Sequence, residues 1–587
     1  MSRESNRARS PRYSLALTSK YSNPPNRISR KSSQAYIYRS LRAPSKYIRL
    51  LFLCPSKSHD GCSGAELCGE LLTFRTDRAP AYVALSYAWG NPAACRRITI
   101  GARTLHITEN LAVALEHLRE HHQTLVLWVD AICIDQANLA EKSAQIQIMG
   151  QIFTSASTVL AWIGPSNDRS DDIIQWLEDG ADLLEQAHQN IQELEQWIGV
   201  PLHYMRAFLN RPWFTRVWVT QEVALGQEVI FICGKKDVGK NMLIRGLLVA
   251  SSAITTVTND FLPSYTLRFK SISPMPLGSF LALRSSVVNM LGFNGDLHCS
   301  DPRDFVFSLF GIITDLHVHH LEVDYIKSVE DVFTDFAIAI IKIGRINILE
   351  DVWRLSSKYP ELPSWVPDWT DTRIRILKRI EKEFDLPAPG PTIVLLNEGT
   401  RLLQAHALLV DEIRFLKYGT QNTTPEDIYR FLVNLKETVC CNSDLSNPSM
   451  IDKTVYDLSI TTCPIYWYRI RPKDKEIYQS YLAFLNLAAS TERLNEVSTW
   501  GEGQLYLSLL QQDKKIPYLF TSSSEVFGVA PDEVTSGDLL CLIAGLRSFW
   551  IIRQGSGGHF RLISPAHVYG YKAPEKGNRD IRKITIC

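Results

Sequence analysis

The sequence has no apolar run long enough to cross a lipid bilayer and almost no net charge. Its long apolar stretches, such as LLVASSAITTV and FAIAIIKIG, fall short of the roughly 18 residues that a transmembrane helix needs. Lysine and arginine number 63 against 62 aspartate and glutamate residues. The chain as a whole therefore has no electrostatic preference for nucleic acid or an anionic membrane. We expect no transmembrane segment and no nucleic-acid partner.

Three further signatures are missing. The twelve cysteines form no CxxC pair and no evenly spaced framework, which is typical of buried thiols in a reducing compartment. The start MSRESNRARSPRYSLAL lacks the apolar core of a secretory signal. The stretch CGKKD after Ile232 lacks the upstream glycine of a phosphate-binding loop. These absences predict a cytoplasmic protein with no metal site and no bound cofactor.

The amino-terminal part of the chain is basic. Met1 to Arg49 contains twelve lysines or arginines and one acid, Glu4, together with many serines and prolines. Such composition favours a disordered tail, while a mitochondrial presequence or a contact with acidic lipid or nucleic acid stays open. At roughly 100–200 residues per unit, the remaining length predicts about three folded regions. The expected division is a basic tail at 1–46, a domain at 47–226, a mainly helical region at 227–380 and a mixed region at 381–587.

Strand-like and helix-like stretches alternate between Tyr82 and Gly226. YVALSYAWGN predicts a strand, RRITIGARTLHIT a hairpin, and TENLAVALEHLREHH a helix with Thr108 as its N-cap. This alternation predicts an α/β fold with a mostly parallel sheet flanked by helices. Downstream stretches predict a mixed helical and β carboxy-terminal region, with a hairpin tip at Gly555–Gly558.

One acid stands inside an apolar run. LWVDAICIDQ predicts a buried strand over Leu125–Ile134, with Asp130 in its interior. A buried carboxylate needs a cation or several donors. We expect Asp130 to pair with Arg216, with Arg211, or with backbone N–H groups of the segment RPWFTRVWVTQEV. In the alternative, Asp130 and Glu222 line one cleft as a catalytic acid and its electrostatic partner.

Several of these motifs together resemble the fungal heterokaryon incompatibility (HET) domain. The matching stretches are YVALSYAWG, LWVDAICIDQANLAEKSAQIQIMGQIFTSASTVLAWIG and RPWFTRVWVTQEVALG. Lys142, where arginine is common, and Asp135, where asparagine is frequent, depart mildly from the pattern. The residues that carry the resemblance are Tyr87, Trp89, Gly90, Asp130, Cys133, Asp135, Gln136, Glu141, Gln145, Met149, Trp162, Gly164, Arg211, Trp213, Arg216, Trp218, Gln221 and Glu222.

The resemblance implies a role in fungal non-self recognition, in which growth arrest or cell death follows fusion of genetically different cells. It also implies a fold similar to TIR domains and flavodoxin. TIR domains act as assembly modules and, in some branches, cleave NAD. Two functions therefore stand side by side: a signalling protein that acts by assembly with a protein partner or with itself, and an enzyme whose substrate is NAD. Cys133, in mid-strand, is expected to be a buried apolar residue rather than a nucleophile.

Overall fold

A computed structural model describes most of the chain. The described residues are 34–56, 66–119, 123–167, 169–186, 202–247, 298–313, 321–342, 349, 358–370, 393–395, 401–417, 424–442, 445, 447–461, 474–490, 504–511, 518–524, 526–530, 534–546, 548–569, 571 and 580–587. They fall into two compact units, on either side of the junction between Ser328 and Val329. Residues 1–33 of the basic tail predicted for 1–46 lie outside the described residues, so the tail stays a prediction there.

The first unit contains a nine-stranded sheet and its helices. Its strands are β1 (Tyr47–Leu53), β2 (Cys68–Arg75), β3 (Val83–Tyr87), β4 (Cys95–Ile100), β5 (Arg103–Thr108), β6 (Leu125–Trp128), β7 (Thr158–Gly164), β8 (Val229–Cys233) and β9 (Lys236–Gly239). Its helices are α1 (Glu109–Leu118), α2 (Asp130–Cys133), α3 (Leu139–Gln147), α4 (Met149–Ser155), α5 (Ser170–Gln186), α6 (Leu202–Leu209), α7 (Val219–Leu225) and α8 (Asp304–Phe307).

The sheet is mixed rather than mostly parallel. Its strand order is β5-β4-β2-β1-β6-β3-β7-β8-β9. The central strands β6, β3, β7 and β8 are parallel to one another, and every residue in them is buried. Antiparallel pairs β1–β2, β1–β6, β4–β5 and β8–β9 extend this core on both sides. The α/β class is confirmed, but parallel pairing is limited to the centre and to a short contact between β2 and β4. The sheet also continues past Gly226, because β8 and β9 belong to it.

Two local predictions near the sheet have clear outcomes. The hairpin is confirmed as β4 and β5, with Gly101 at φ +59° in the turn. The strand expected over Leu125–Ile134 is wrong beyond Trp128, because α2 begins at Asp130. The Val129 carbonyl accepts from the Ile132 and Cys133 N–H groups and so turns the chain out of the sheet. Asp130 therefore lies at the carboxyl end of β6, not inside a strand.

Residues 34–46, which the sequence assigned to the tail, contact the folded unit. The Tyr36 N–H donates to the Thr104 carbonyl at 2.8 Å, and the Tyr38 hydroxyl donates to the Ile132 carbonyl at 2.9 Å. Leu41 is buried. The polar contacts and the apolar burial together order this segment against the edge of the domain.

The second unit combines a β-barrel with a helical layer. Its strands are β10 (Ile393–Leu395), β11 (Leu403–Lys417), β12 (Tyr518–Ser522), β13 (Phe527–Ala530), β14 (Leu539–Ile543), β15 (Phe549–Gln554), β16 (Phe560–Tyr569) and β17 (Ile581–Ile586). Its helices are α9 (Val329–Lys342), α10 (Pro425–Asn442), α11 (Pro448–Thr461), α12 (Asp474–Ser490) and α13 (Gln504–Gln511).

The strands of this unit close on themselves. β11, β12, β13, β16, β15 and β14 pair in turn, and β14 pairs back with β11, each time antiparallel. Register shifts after Leu409 and Ile413 bend the long β11 so that it serves both ends of the ring. The predicted hairpin tip at Gly555–Gly558 is confirmed between β15 and β16. Among the residues described in either unit, no helix has the length and apolarity to span a bilayer.

Candidate functional site

A buried ion pair joins the segment after α6 to helix α7. Arg216 Nη2 lies 3.0 Å from Glu222 Oε1, and Arg216 Nη1 lies 3.2 Å from Glu222 Oε2. The Ser86 hydroxyl at the end of β3 also donates to Glu222 Oε2. The Arg216 side chain is 15% exposed and that of Glu222 only 4%. We call Ser86, Arg216 and Glu222 the clamp.

Aromatic packing fixes the position of the clamp. Trp213 is fully buried, and its Nε1 donates to the Ser86 hydroxyl at 2.9 Å. Its ring meets those of Phe214 and Phe231 edge to face. Burial works against the charge of Arg216, but the charges of Glu222 and Asp130 outweigh it and raise the pKa of the guanidinium. Trp213 therefore connects the aromatic core to the clamp through the Ser86 hydroxyl.

Asp130 has different partners from those predicted. Its Oδ2 accepts from Trp89 Nε1 at 2.8 Å, and its Oδ1 accepts from the Ala131 N–H at 2.8 Å. Arg216 donates to Glu222 and acts on Asp130 through its charge. Asp130 is half-buried, whereas Trp89 is 39% exposed although it is a large aromatic residue. The two carboxylates therefore differ in burial: Glu222 is buried, and Asp130 is half-buried at the carboxyl end of β6.

Burial raises the pKa of Asp130, and the charge of Glu222 adds to this, while Arg216 and the Trp89 hydrogen bond oppose it. The adjacent Tyr87 is 1% exposed, and its hydroxyl lies outside hydrogen-bonding geometry with any described partner. Burial raises the pKa of Tyr87 well above its usual range, and the nearby charge of Asp130 raises it further. The phenol therefore stays neutral beside the Asp130 carboxyl.

A second buried ion pair connects β1 to α3. Arg49 Nη1 lies 2.6 Å from Glu141 Oε1, with the two side chains 3% and 2% exposed. Glu141 Oε1 also accepts from the Asp135 N–H at 2.9 Å, and Arg49 Nη1 donates to the Cys133 carbonyl at 2.9 Å. Burial alone would raise the pKa of Glu141, but the Arg49 and Asp135 hydrogen bonds outweigh it and lower the pKa. Gln145, one turn later, donates to the Pro44 and Tyr47 carbonyls.

The loops after β3 and β7 lie at the carboxyl ends of these two parallel strands. Gly90, at φ +77°, and Gly164, at φ +129°, occupy backbone conformations that other residues rarely adopt. Arg211 donates to the Pro165 and Asn167 carbonyls at 2.9 Å and so holds the second loop. Asn110 donates to the Ala88 carbonyl at 2.6 Å and holds the first.

The other motif residues are buried or form hydrogen bonds within the fold. Burial raises the pKa of Cys133 to about 12, so its thiol stays protonated, as expected for a buried apolar residue. Gln136 Nε2 donates to the Asp130 carbonyl at 3.0 Å, and Met149 is buried. Trp162 Nε1 donates to Asn110 Oδ1 at 3.3 Å. Trp218 caps α7 by accepting from the Gln221 and Glu222 N–H groups through its carbonyl.

Sequence reasoning missed Ser86, Arg49 and Asn110. Arg49 stands in the apolar strand YIRLLFL, and the rule that a buried charge needs a partner could have found it, since it is buried and pairs with Glu141. Ser86 carries no such signal, because a serine in a strand is common. Within the described ranges, no group of three or more His, Cys, Asp or Glu side chains is placed to hold a metal ion.

Comparison with known proteins agrees with the motifs. Residues 82–222 match the family described as Heterokaryon incompatibility protein (HET). The chain is 28% identical over 425 residues to "Heterokaryon incompatibility protein 6, OR allele" from Neurospora crassa. That alignment covers 60% of this chain and 61% of the relative, so the chain spans about three fifths of the relative's length. No solved structure matches. The resemblance drawn from the motifs is confirmed.

Proposed function

We propose that this chain, which carries a heterokaryon incompatibility (HET) domain at residues 82–222, is a cytoplasmic protein of fungal non-self recognition. Its HET domain triggers growth arrest or cell death, and it does so by assembly with a partner or with itself. The 425-residue similarity to a heterokaryon incompatibility protein supports this, because it extends well beyond the domain itself.

The hydrogen bonding of Glu222, which occupies both carboxylate oxygens, is the observation that favours assembly over catalysis. Both of its oxygens are hydrogen-bonded, to Arg216 and Ser86, and its side chain is 4% exposed. A catalytic carboxylate needs an accessible oxygen and a pKa suited to proton transfer. Glu222 has its oxygens committed to the fold, so we assign it a structural role.

One observation favours the alternative, a TIR-like enzyme that cleaves NAD. Among the parallel strands the order is β6-β3-β7-β8, which is second, first, third and fourth along the chain, as in flavodoxin-type sheets. Ligands of such sheets bind beyond the carboxyl ends of the strands. Asp130, half-buried and with a raised pKa, lies at that edge beside the exposed Trp89.

Induced expression in a fungal host tests the proposed function. Cells that accumulate the full chain should stop growing, and a dose series should show a steep threshold, because assembly depends on concentration. Normal growth with folded protein present at high level would contradict the proposal. A response proportional to dose, with NAD consumed, would favour the enzyme.

A further inference from the structure

Two stretches far beyond the family match pack on the domain. They are residues 298–313 and 321–326, which we call the strap. Arg303 Nη1 joins the stretches by donating to the Tyr325 and Lys327 carbonyls, each at 2.7 Å. The Tyr325 hydroxyl adds a hydrogen bond of 2.6 Å to Asp304. The strap is apolar where it faces inward, since Val306, Phe307, Leu309, Ile312, Ile313, Leu321, Val323 and Tyr325 are all buried.

One end of the strap lies beside the clamp. The His298 N–H donates to the Thr215 carbonyl at 2.7 Å, and the Val217 N–H donates to the His298 carbonyl. These bonds form a parallel bridge directly opposite Arg216. The strap thereby fixes the backbone on both sides of the arginine that holds Glu222.

The middle of the strap is wedged against α7. The Gln221 side-chain oxygen accepts from the Gly150 N–H at 3.2 Å and from the Gly311 N–H at 3.3 Å, in the amide orientation that satisfies both of its ends. A Cβ atom on Gly311 would lie 2.0 Å from the Gln221 amide and 2.9 Å from Leu225. Any larger residue would have to displace the Gln221 amide, because the strap backbone packs directly against that side chain of α7.

The second stretch of the strap contacts α3. The Val323 N–H donates to Gln147 Oε1 at 2.7 Å, and the Tyr325 N–H donates to the Ser143 hydroxyl at 3.1 Å. Lys142 Nζ lies 4.2 Å from the centre of the Tyr325 ring. One segment therefore touches both helices that carry the buried acids of the domain, Glu141 on α3 and Glu222 on α7.

We propose that the strap completes the HET domain and acts as its positioning element. It holds α7 against α4 and so keeps Glu222 within reach of Arg216 and Ser86. The functional unit then extends to about residue 326 rather than ending at 222. The effect on toxicity rests on the proposed function, whereas the effect on the structure of α7 does not.

Gly311→Ala in the full chain tests the proposal by hydrogen exchange. The added methyl group displaces the Gln221 amide, so exchange over residues 213–225 should accelerate about tenfold or more, as overpacking of a core position does. Gly555→Ala is the matched control, because a Cβ there would meet only the His559 carbonyl at an ordinary 3.5 Å. Unchanged exchange in Gly311→Ala would overturn the proposal, as would equal acceleration throughout the second unit.

A double variant shows whether the effect passes through the wedge. In a Gln221→Ala background the amide is gone, so adding Gly311→Ala should accelerate exchange over 213–225 by much less than it does in the parent. Equal acceleration in both backgrounds would overturn the assigned contact. Gly311→Ala should also reduce toxicity at matched abundance, and higher toxicity would overturn the proposal by making the strap an inhibitory cover. If the parent is not toxic while the exchange result holds, only the proposed function fails.

Discussion

Ser86 and Glu222 are hydrogen-bonded although 136 residues separate them in the sequence. The bond ties the carboxyl end of β3, one of the two inner strands of the parallel core, to the helix that follows the RPWF segment. Arg216 and Trp213 complete the connection from the same segment. Residues from the first and last thirds of the family match are therefore parts of one buried polar cluster, which links the motifs physically.

Glu222→Ala should destabilise the first unit strongly. Removal of the carboxylate leaves the Arg216 charge buried without its partner, which costs about 3–5 kcal/mol. Glu222→Gln should cost less, because the amide oxygen still accepts from Ser86 or Arg216. Urea unfolding followed by tryptophan fluorescence measures both. Glu426→Ala is the control, since its ion pair with Arg430 is largely exposed and is worth less than about 1 kcal/mol. Equal midpoints for Glu222→Ala and the control would refute the clamp.

Asp130→Asn should leave stability unchanged or slightly higher at neutral pH. Because the folded state raises the pKa of Asp130, the ionised form is disfavoured there and its removal relieves that cost. The asparagine oxygen still accepts one hydrogen bond, from Trp89 or Ala131. A loss of more than about 2 kcal/mol in the free energy of unfolding would instead support the buried ion pair between Asp130 and Arg216 that the sequence predicted. Lost toxicity with intact stability would instead make Asp130 a ligand-binding or catalytic residue.

Attachment of the strap should strengthen as the pH falls through about 6. Burial raises the pKa of Asp304 from 3.8 to about 6, with Asp301 also raising it and Tyr325, Trp218 and Lys142 lowering it. A folded-state pKa above the unfolded value means that protonation favours the folded state, by at most about 3 kcal/mol for a shift of this size.

Hydrogen exchange of residues 298–313, corrected for intrinsic rates, measures this effect. It should be slower at pH 5.5 than at pH 7.5 in the parent chain, and Asp304→Asn should remove the difference. A parent strap that exchanges faster at the lower pH would contradict the assignment.

The sequence predicted what depends on local pattern. Periodicity located α1 and the β4–β5 hairpin, and the apolar runs located β3, β6 and β7. The sequence-based prediction failed where long-range contacts determine the local structure. Asp130 was placed inside a strand because ICI continues the apolar pattern, whereas the chain leaves the sheet after Trp128 to pack Ile132 and Cys133 inward.

Local pattern could not predict the pairing of charges either, because that pairing also depends on long-range contacts. The sequence offered Arg216 as a partner of Asp130, whereas in the fold Arg216 pairs with Glu222, beside Ser86 and Trp213. Local pattern predicts a helix in the stretch DPRDFVFSLFGI of the strap. It gives no sign of the strap's contacts with Gln221 and Ser143, which join residues that lie far apart in the chain.

The NAD content of fungal cells during growth arrest tests the central claim most directly. Cells induced to express the full chain are sampled from induction until growth stops, beside cells that express Asp130→Asn at equal abundance. If the domain acts by assembly, growth stops while NAD remains at its initial level, and the variant behaves like the parent. A fall in NAD that precedes the arrest, and that is absent in the folded variant, would contradict the account and establish an enzyme.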